Sequence, residues 1–475
     1  MDTIPVAPGR LPILGHALRL SRDPLGFLES TRSYGDVVRI YLGRQPMYLV
    51  TDPGLTRDVL VGRVVGVNRD GLADGGRELF GSSVATLSGR IHRDRRRLYA
   101  PALRNRRVLD YVPMLAEHAG HWARSLREDV PVALDRELFA LSLSGVSATL
   151  FGVEPEPAVV HTVQRDLPVA VHAAVARQTM PGWSRGLPLP IGRRFQETTV
   201  RLRTVCAAMI AARRSNPKER RDLLSDLMFE PIGENGATLS QEEVVDELCG
   251  LLVAGVDTPA ATLGWIFHEL AEQPEVARRL HAEVDSVLGS GVVTAADLRS
   301  LDYTRWVVQE AIRKYAAWIN PMRTDAPTDI AGVRVPGNAT LAVSLYMLHH
   351  DRRVFENPDL FDPMRWAPER AKLRPHDAAI PFGLGPRKCP GDIFAMTELM
   401  VYVATIAAQW EFHPRHGATV HPVTRGVVVH PDHLPMIPRA RAPAIQPVCQ
   451  QGAKPDTARH CPSSPIHQAN WPRRP

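Results

Sequence analysis

One cysteine stands in a loop rich in glycine and proline, directly after two basic residues. The loop covers residues 382–391 and reads FGLGPRKCPG, and an apolar, helix-like run from Ile393 to Trp410 follows it. A thiolate is stabilised as a metal ligand by positive charge and backbone N–H donors, and a following helix N-terminus adds a favourable dipole. These features predict that Cys389 is the axial thiolate ligand of a haem iron. The alternative is a structural cysteine buried in a turn.

A long apolar helix carries a second chemical signal. Ser240 and Glu243 have the spacing of a capping box, which predicts a helix start at Ser240, and Pro274 predicts its end near Glu272. Its middle reads AGVDTP over residues 254–259, with an acid and an alcohol, Asp257 and Thr258, side by side. Small residues before them leave room for a ligand, and Pro259 removes a helical hydrogen bond. This arrangement suits dioxygen binding and proton delivery, whereas the alternative is a kinked core helix.

Two pairs of charged residues have helical spacing. His92 and Arg96 are four residues apart and share one face, where they could bind a haem propionate, because a guanidinium donates two parallel hydrogen bonds to a carboxylate. The alternative for this pair is a solvated basic face. Glu310 and Arg313 are three residues apart, a spacing that allows a salt bridge and that is also common by chance.

The loop of Cys389 resembles the Phe-x-x-Gly-x-Arg-x-Cys-x-Gly signature of the cytochrome P-450 haem-thiolate monooxygenases. All five signature residues are present: Phe382, Gly385, Arg387, Cys389 and Gly391. Residues 254–259 resemble the family's oxygen-binding motif, with Pro259 in place of the usual hydroxyl residue. The resemblance extends over residues 5–437, with at least five motifs in the family's order.

The resemblance implies a role for each of these residues. Haem b, iron protoporphyrin IX, is the expected cofactor; Cys389 is its ligand, Phe382 and Gly391 belong to its loop, and its propionates are bound by His92, Arg96, Arg323 and Arg387. Thr258 is expected to hold water and Asp257 to take part in a proton relay. Arg365 of the FDPMR segment completes a structural triad with Glu310 and Arg313. The expected substrate pocket includes Val253, Ala254 and Ile319.

The fold implied is the mainly α cytochrome P-450 fold, with a small β portion and a long central helix over the haem. Val37–Leu42 and Met47–Val50 are predicted strands, joined by a hairpin turn at residues 43–45, and residues 426–429 indicate a final strand or hairpin. The prolines and glycine around Pro181 predict a loop between two helices. We expect a single catalytic domain over residues 1–437. The composition then changes to Pro, Gln, Ser and Arg without periodicity, which predicts a disordered tail over residues 438–475.

Composition and charge restrict the location and the partners. The net charge of +6 is spread along the chain, so nucleic-acid binding has little support. The five cysteines are scattered and include no CxxC pair, which argues against a disulfide framework and for a reducing, cytoplasmic setting. The N-terminus lacks the features of a signal peptide, and no uninterrupted apolar run is long enough for a membrane anchor.

The function implied is monooxygenation of a lipophilic small molecule with O2 and electrons from NAD(P)H, in the manner of family members that oxidise terpenes in secondary metabolism. The electrons are expected to come from a ferredoxin-type donor with its reductase. The exposed arginines expected to attract this donor are Arg93, Arg95, Arg97, Arg104, Arg106 and Arg107. The alternatives are a haem-thiolate peroxygenase or isomerase, and a non-catalytic haem-binding protein.

Overall fold

A computed structural model describes residues 4–63, 66–68, 77–179, 190–215, 222–233, 236–372 and 379–441. The helices in these ranges are α1 (Ala17–Arg22), α2 (Pro24–Thr31), α3 (Pro53–Val61), α4 (Arg77–Phe80), α5 (Gly89–Leu103), α6 (Asn105–Asp110), α7 (Val112–Ser125), α8 (Leu134–Leu150), α9 (Pro157–Thr179), α10 (Pro190–Ser215), α11 (Leu223–Phe229), α12 (Gln241–Leu252), α13 (Thr258–Glu272), α14 (Pro274–Leu288), α15 (Asp302–Lys314), α16 (Leu345–His349), α17 (Pro368–Ala371) and α18 (Asp392–Ala407).

The strands are short and form small sheets beside the helices. Their bounds are β1 (Val37–Leu42), β2 (Gln45–Val50), β3 (Val67–Asn68), β4 (Val132–Ala133), β5 (Asn320–Thr324), β6 (Thr328–Ile330), β7 (Val333–Val335), β8 (Thr340–Val343), β9 (Trp410–Pro414), β10 (Pro422–Val423), β11 (His430–Pro431) and β12 (Pro435–Ala440). The largest sheet has the order β1-β2-β8-β5-β3, in which only β2 and β8 pair in parallel. The hairpin predicted from the sequence is confirmed, with Val37 opposite Val50. The mainly α fold with a small β portion is therefore confirmed.

The core of the helical body forms around α18, which follows the cysteine loop. This helix is apolar on nearly all sides, and a helix of that kind is stable in water only when it is enclosed. It packs against α6, α7, α13, α14 and α15, and most of its side chains are buried. The position of the loop that precedes it is thereby fixed within the protein.

The central helix consists of α12, a π-helical turn over Val253–Asp257, and α13. Its predicted capping box is confirmed: the Ser240 hydroxyl accepts a hydrogen bond from the Glu243 amide at 3.3 Å, and the Glu243 carboxylate accepts one from the Ser240 amide at 2.9 Å. The π-helical turn lies where Pro259 removes the regular hydrogen bond. By length and composition alone, the helix Gln241–Glu272 could cross a membrane, but 67% of its most apolar window is buried inside the protein.

The central helix also holds the segments that cover it. The Asp246 carboxylate accepts hydrogen bonds at 2.7 Å from Arg203 of α10 and from the Ser82 amide. Next to this contact, the thiols of Cys206 and Cys249 are 3.5 Å apart in the core between α10 and α12. The predicted loop around Pro181 that joins α9 and α10 lies outside the described residues.

Three predicted boundaries differ from the structure. Trp410, predicted as the end of the helix after the cysteine loop, begins β9, which pairs with β12. Residues 426–429, predicted as a strand, precede the short strand β11, and only Val428 forms a bridge, to Ala317. Residues 438–440 lie in β12, so the ordered chain continues beyond the predicted domain boundary at 437. The predicted tail from residue 442 onward lies outside the described residues.

We predict that Ser240→Ala lowers the free energy of unfolding by about 1 kcal/mol, because it removes one of the two hydrogen bonds of the capping box. The measurement is the denaturant midpoint of the purified protein. Ser290→Ala is the control, since Ser290 is exposed and forms no hydrogen bond within the described part of the chain. Equal midpoints for the two variants would contradict the prediction.

Candidate active site

Backbone hydrogen bonds hold Cys389 at the start of α18. Its amide donates to the Phe382 carbonyl at 2.9 Å, which closes the loop, and its sulfur accepts a hydrogen bond from the Gly391 amide. The side chain is half-buried. The sulfur is therefore fixed in place while part of the side chain stays open to a ligand.

Glycine is required at one point of this loop. Gly385 has φ of +67°, and a Cβ atom there would lie 2.3 Å from the Leu60 carbonyl oxygen of α3. The left-handed backbone and the close approach both exclude a side chain. The loop consequently packs tightly against α3.

Burial raises the pKa of the Cys389 thiol in the polypeptide alone, and the Asp392 carboxylate raises it further. The Gly391 amide and the positive charges of Arg96 and Lys388 oppose this effect. A bound metal ion outweighs such shifts, because a coordinating thiol is deprotonated outright. The Gly391 amide, Arg96 and Lys388 therefore reduce the free-energy cost of the Cys389 thiolate, but they do not deprotonate the thiol on their own.

One face of the otherwise buried central helix is open. The accessible residues there are Leu251, Ala254, Gly255, Thr258 and Thr262, which have helical spacing, while the residues between them are mostly buried. The Thr258 hydroxyl donates to the Ala254 carbonyl at 2.6 Å across the π-helical turn. We call this open face the cleft face; it offers mainly apolar surface and two hydroxyl groups, those of Thr258 and Thr262.

The predicted pocket residues separate in the structure. Ala254 lies on the cleft face, and Ile319 is half-buried beside the core. Val253 is only 4% exposed and packs in the main hydrophobic core. The expectation that Val253 lines the substrate pocket is therefore corrected, because adjacent helical residues do not share a face and Val253 points into the core.

Asp257 also points away from the cleft face. It is 5% exposed, and its Oδ2 atom lies 3.2 Å from Nε2 of His430. The acid and the alcohol adjacent in sequence therefore face different surroundings. The sequence motif alone did not identify His430, which is 173 positions away.

Several basic side chains have the chemistry to hold haem propionates. Arg96 is half-buried, acts electrostatically on Cys389, and has no carboxylate partner among the described residues. The Nε atom of Arg323 is buried without a hydrogen-bond partner in the described chain, although Nη1 donates to Asn338 at 2.8 Å. His92 is buried on the same helix as Arg96. The chemistry of these side chains fits an anionic group, and Arg96 is the one shown to act on the thiol.

Arg387 has a different arrangement in the polypeptide. Its guanidinium donates to the Leu87 carbonyl at 2.6 Å and to the Ser88 hydroxyl at 3.2 Å, just before α5. It thereby joins the cysteine loop to the helix that carries His92 and Arg96. Its guanidinium group thus lies at the junction of the two segments predicted to bind haem.

Glu310, Arg313 and Arg365 form a buried charge cluster. Arg313 donates to both oxygens of Glu310, at 2.9 and 2.8 Å, and Nε of Arg365 lies 3.2 Å from Oε1 of Glu310. The remaining guanidinium N–H groups donate to carbonyl groups, among them those of His349 and Glu356. Since all three residues are almost fully buried, each donor and acceptor needs such a partner.

Sequence reasoning missed two residues of this cluster. The Trp366 indole donates to Glu310 at 2.9 Å. Burial lowers the pKa of His349 to about 3, and the positive charge of Arg313 acts in the same direction, so this imidazole is neutral beside the cluster. Trp366 directly follows the predicted Arg365, whereas nothing in the sequence marked His349.

One predicted surface residue is buried. Arg95 was expected among the arginines free to attract an acidic donor, yet it is 3% exposed. Its guanidinium lies 2.6 Å from Glu243 and 3.5 Å from Glu247 of the central helix. Arg95 therefore ties α5 to α12.

Comparison with known proteins gives matches over most of the chain. Residues 5–437 match the family model described as cytochrome P450. The chain is 36% identical over 420 residues to cyclooctatin synthase of Streptomyces melanosporofaciens, covering 88% of this chain and 92% of that protein. It is also 36% identical to cyclooctat-9-en-7-ol 5-monooxygenase of the same organism, covering 88% and 91%, and 32% identical to pentalenene oxygenase of Streptomyces avermitilis, covering 92% and 97%.

The chain belongs to the cytochrome P450 family. It is a haem-dependent monooxygenase whose cofactor is haem b and which uses O2 and a redox partner. The resemblance noted from the sequence motifs is thereby confirmed.

We predict that Glu310→Gln lowers the free energy of unfolding by about 3–5 kcal/mol, because two buried guanidinium groups then share no carboxylate. The measurements are the denaturant midpoint and the haem content of the purified protein. Glu356→Gln is the matched control, since the Glu356 side chain is exposed and only its carbonyl group contacts Arg365. A similar loss in both variants would contradict the prediction.

Proposed function

We propose that this protein hydroxylates, or oxidises further, a cyclic terpenoid of secondary metabolism in the cytoplasm. The observation that carries the proposal is the mainly apolar cleft face of the central helix, with the hydroxyl group of Thr258 on it. Pentalenene oxygenase and cyclooctat-9-en-7-ol 5-monooxygenase, similar to this chain over most of their length, support this substrate class.

One group of residues in the site binds the haem. Bound haem supplies oxygen activation and oxygen transfer, with Cys389 as its thiolate ligand and Arg96, Arg323, His92 and Arg387 near its propionates. Phe382 and Gly391 hold the sulfur through backbone hydrogen bonds.

The residues that contact the substrate are Ala254 and Ile319, whose apolar surface positions it and excludes water. Thr258 keeps its hydroxyl proton on the Ala254 carbonyl, so its oxygen can accept a hydrogen bond from water on the cleft face. Asp257 supplies protons from the adjacent side of the helix. Glu310, Arg313 and Arg365 stabilise the fold on the thiolate side.

The electron donor proposed is an acidic ferredoxin with its reductase. A groove of about 1240 Å³ lies along α5 and α6, and Arg93, Arg97, Arg104, Arg106 and Arg107 line it together with Asp94, Asp110, Asp226 and Glu230. Arg93, Arg104 and Arg106 are exposed and form no ion pair within the described ranges. Because α6 packs against α18 and Arg96 of α5 acts on Cys389, a donor bound here is on the thiolate side.

The first test is the difference spectrum of the dithionite-reduced holoprotein with carbon monoxide. A strongly red-shifted Soret band that Cys389→Ala abolishes is the expected result. Pentalenene and cyclooctat-9-en-7-ol are then assayed with NADPH, donor proteins and ¹⁸O2, and one labelled oxygen atom in the product is expected. Absence of the band in folded, haem-containing protein would refute the thiolate assignment. Turnover with peroxide alone, and none with NADPH and O2, would favour the peroxygenase alternative.

The second test concerns the donor groove. We expect the double variant Arg104→Glu and Arg106→Glu to raise the KM for an acidic ferredoxin about tenfold at low salt, because charge reversal removes electrostatic steering. The difference should shrink at high ionic strength, and the carbon monoxide spectrum should not change. Arg334→Glu, an exposed arginine of β7, is the control. An unchanged KM in the double variant would place the donor elsewhere.

A further inference from the structure

A pocket of about 590 Å³ reaches the central helix at Asp257. Its exposed rim includes Arg136, His161, Arg165, Arg425 and His433, and its inner wall is formed by buried residues of α13, Ala260 and Ala261, beside Asp257. The pocket therefore connects the protein surface to the acid of the central helix. The cleft face lies on a different side of the same helix, since the adjacent residues Asp257 and Thr258 do not share a helix face.

His430 lies between this pocket and Asp257. Its Nε2 atom is 3.2 Å from Oδ2 of Asp257, and the side chains are 15% and 7% exposed, respectively. Both atoms are buried, and neither has a hydrogen-bond partner in the described structure, because the two side chains are not aligned for a hydrogen bond. Buried polar atoms without a hydrogen-bond partner are uncommon in proteins and call for a specific explanation. The separation of 3.2 Å is nevertheless within the range of a hydrogen bond.

The segment over residues 426–431 is held by two tryptophans, one of which, Trp265, lies on the central helix. The Trp318 indole donates to the Gly426 carbonyl at 2.9 Å, and the Trp265 indole of α13 donates to the Val429 carbonyl at 2.9 Å. His430 directly follows the second of these contacts. Its position relative to Asp257 is therefore set by the backbone of this segment.

Gly426 leaves the space that the pair occupies. A Cβ atom at this position would lie 2.6 Å from Oδ2 of Asp257 and 3.0 Å from Nε2 of His430. The φ angle of Gly426 is not positive, so the backbone conformation does not require glycine. The close approach of the two side chains does.

We propose that His430 carries protons from water in this pocket to Asp257. It thereby positions the Asp257 carboxylate and reprotonates it, so that Asp257 can supply protons toward Thr258. An imidazole ring accepts a proton at one nitrogen and releases another from the second, so the ring is restored after each transfer. The proton moves from pocket water to the ring, then from Nε2 to Oδ2 of Asp257, and no bond other than N–H and O–H changes. The proposal rests on the proposed monooxygenase function.

Charged and ionisable side chains line the pocket around His430. The carboxylates among them are Asp257, Asp135 and Asp432. The cationic or ionisable residues are Arg136, Arg165, Arg425, His161 and His433. Arg165 is paired with Asp166 at 2.8 Å, and His433 with Asp432 at 2.9 Å, which weakens their influence.

The contact itself is tested without turnover. His430→Gln, Asp257→Asn and the double variant are compared with the wild-type holoprotein by unfolding at pH 6. Because the pair is in contact, the effects of the two single changes should not add in the double variant. Additive effects would show that the pair does not form in solution and would overturn the proposal.

The proton transfer is tested by the fate of NADPH electrons. In His430→Gln we expect the ratio of product to hydrogen peroxide to fall about tenfold, less than the loss for a directly acting acid. The ratio should also lose the pH dependence of the wild type, whereas the substrate-induced spectral shift stays unchanged. Gly426→Ala should have the same effect, because it displaces the Asp257 carboxylate.

The control is His433→Gln, a histidine on the same pocket that pairs with Asp432 instead. Its product-to-peroxide ratio should match the wild type. A wild-type ratio and pH profile in His430→Gln would overturn the proposal. If the wild type itself forms no product, the proposed function fails, and the unfolding experiment still decides whether the contact exists.

Discussion

One buried carboxylate balances two buried guanidinium groups in the helical body of the protein. The Glu310 carboxylate accepts two hydrogen bonds from Arg313 and one from Arg365. The remaining N–H groups of both arginines donate to carbonyl groups of the chain between α15 and the cysteine loop, at the last residue of α16 and in the irregular segment that follows it. A buried charge of this kind is tolerated only when every partner is present. The path of the chain into the Cys389 loop therefore depends on Glu310.

The central helix meets two environments because its regular hydrogen bonding is interrupted once. The π-helical turn at Val253–Asp257 puts Ala254 and Thr258 on the open cleft face and Asp257 against the segment around His430. Substitutions on the cleft face can therefore change ligand binding without changing the contact between Asp257 and His430 on the other face. The same helix holds α5 through Arg95 and α10 through Arg203, which links the covering helices to the site.

Local patterns of the sequence predicted a large part of this arrangement. The capping box, the first hairpin and the mainly α fold with its long central helix depend on residues close in sequence, and they are confirmed. Burial and distant contacts were harder to predict. The sequence around Arg95 resembles a solvated basic face, and only the packing of α5 on α12 buries it. Trp410 looked helical because β9 forms only through its distant partner β12, and nothing near Asp257 indicated His430.

The missing side chain at Gly426 also has a consequence for protein engineering. The residue is far from Ala254 and Thr258 in sequence, yet any side chain larger than hydrogen meets the carboxylate of Asp257 and the imidazole of His430 together. Substitutions at positions 426 and 430 are therefore interdependent, and their order of introduction matters. A library that varies both positions at once samples combinations that stepwise selection from the natural sequence passes over.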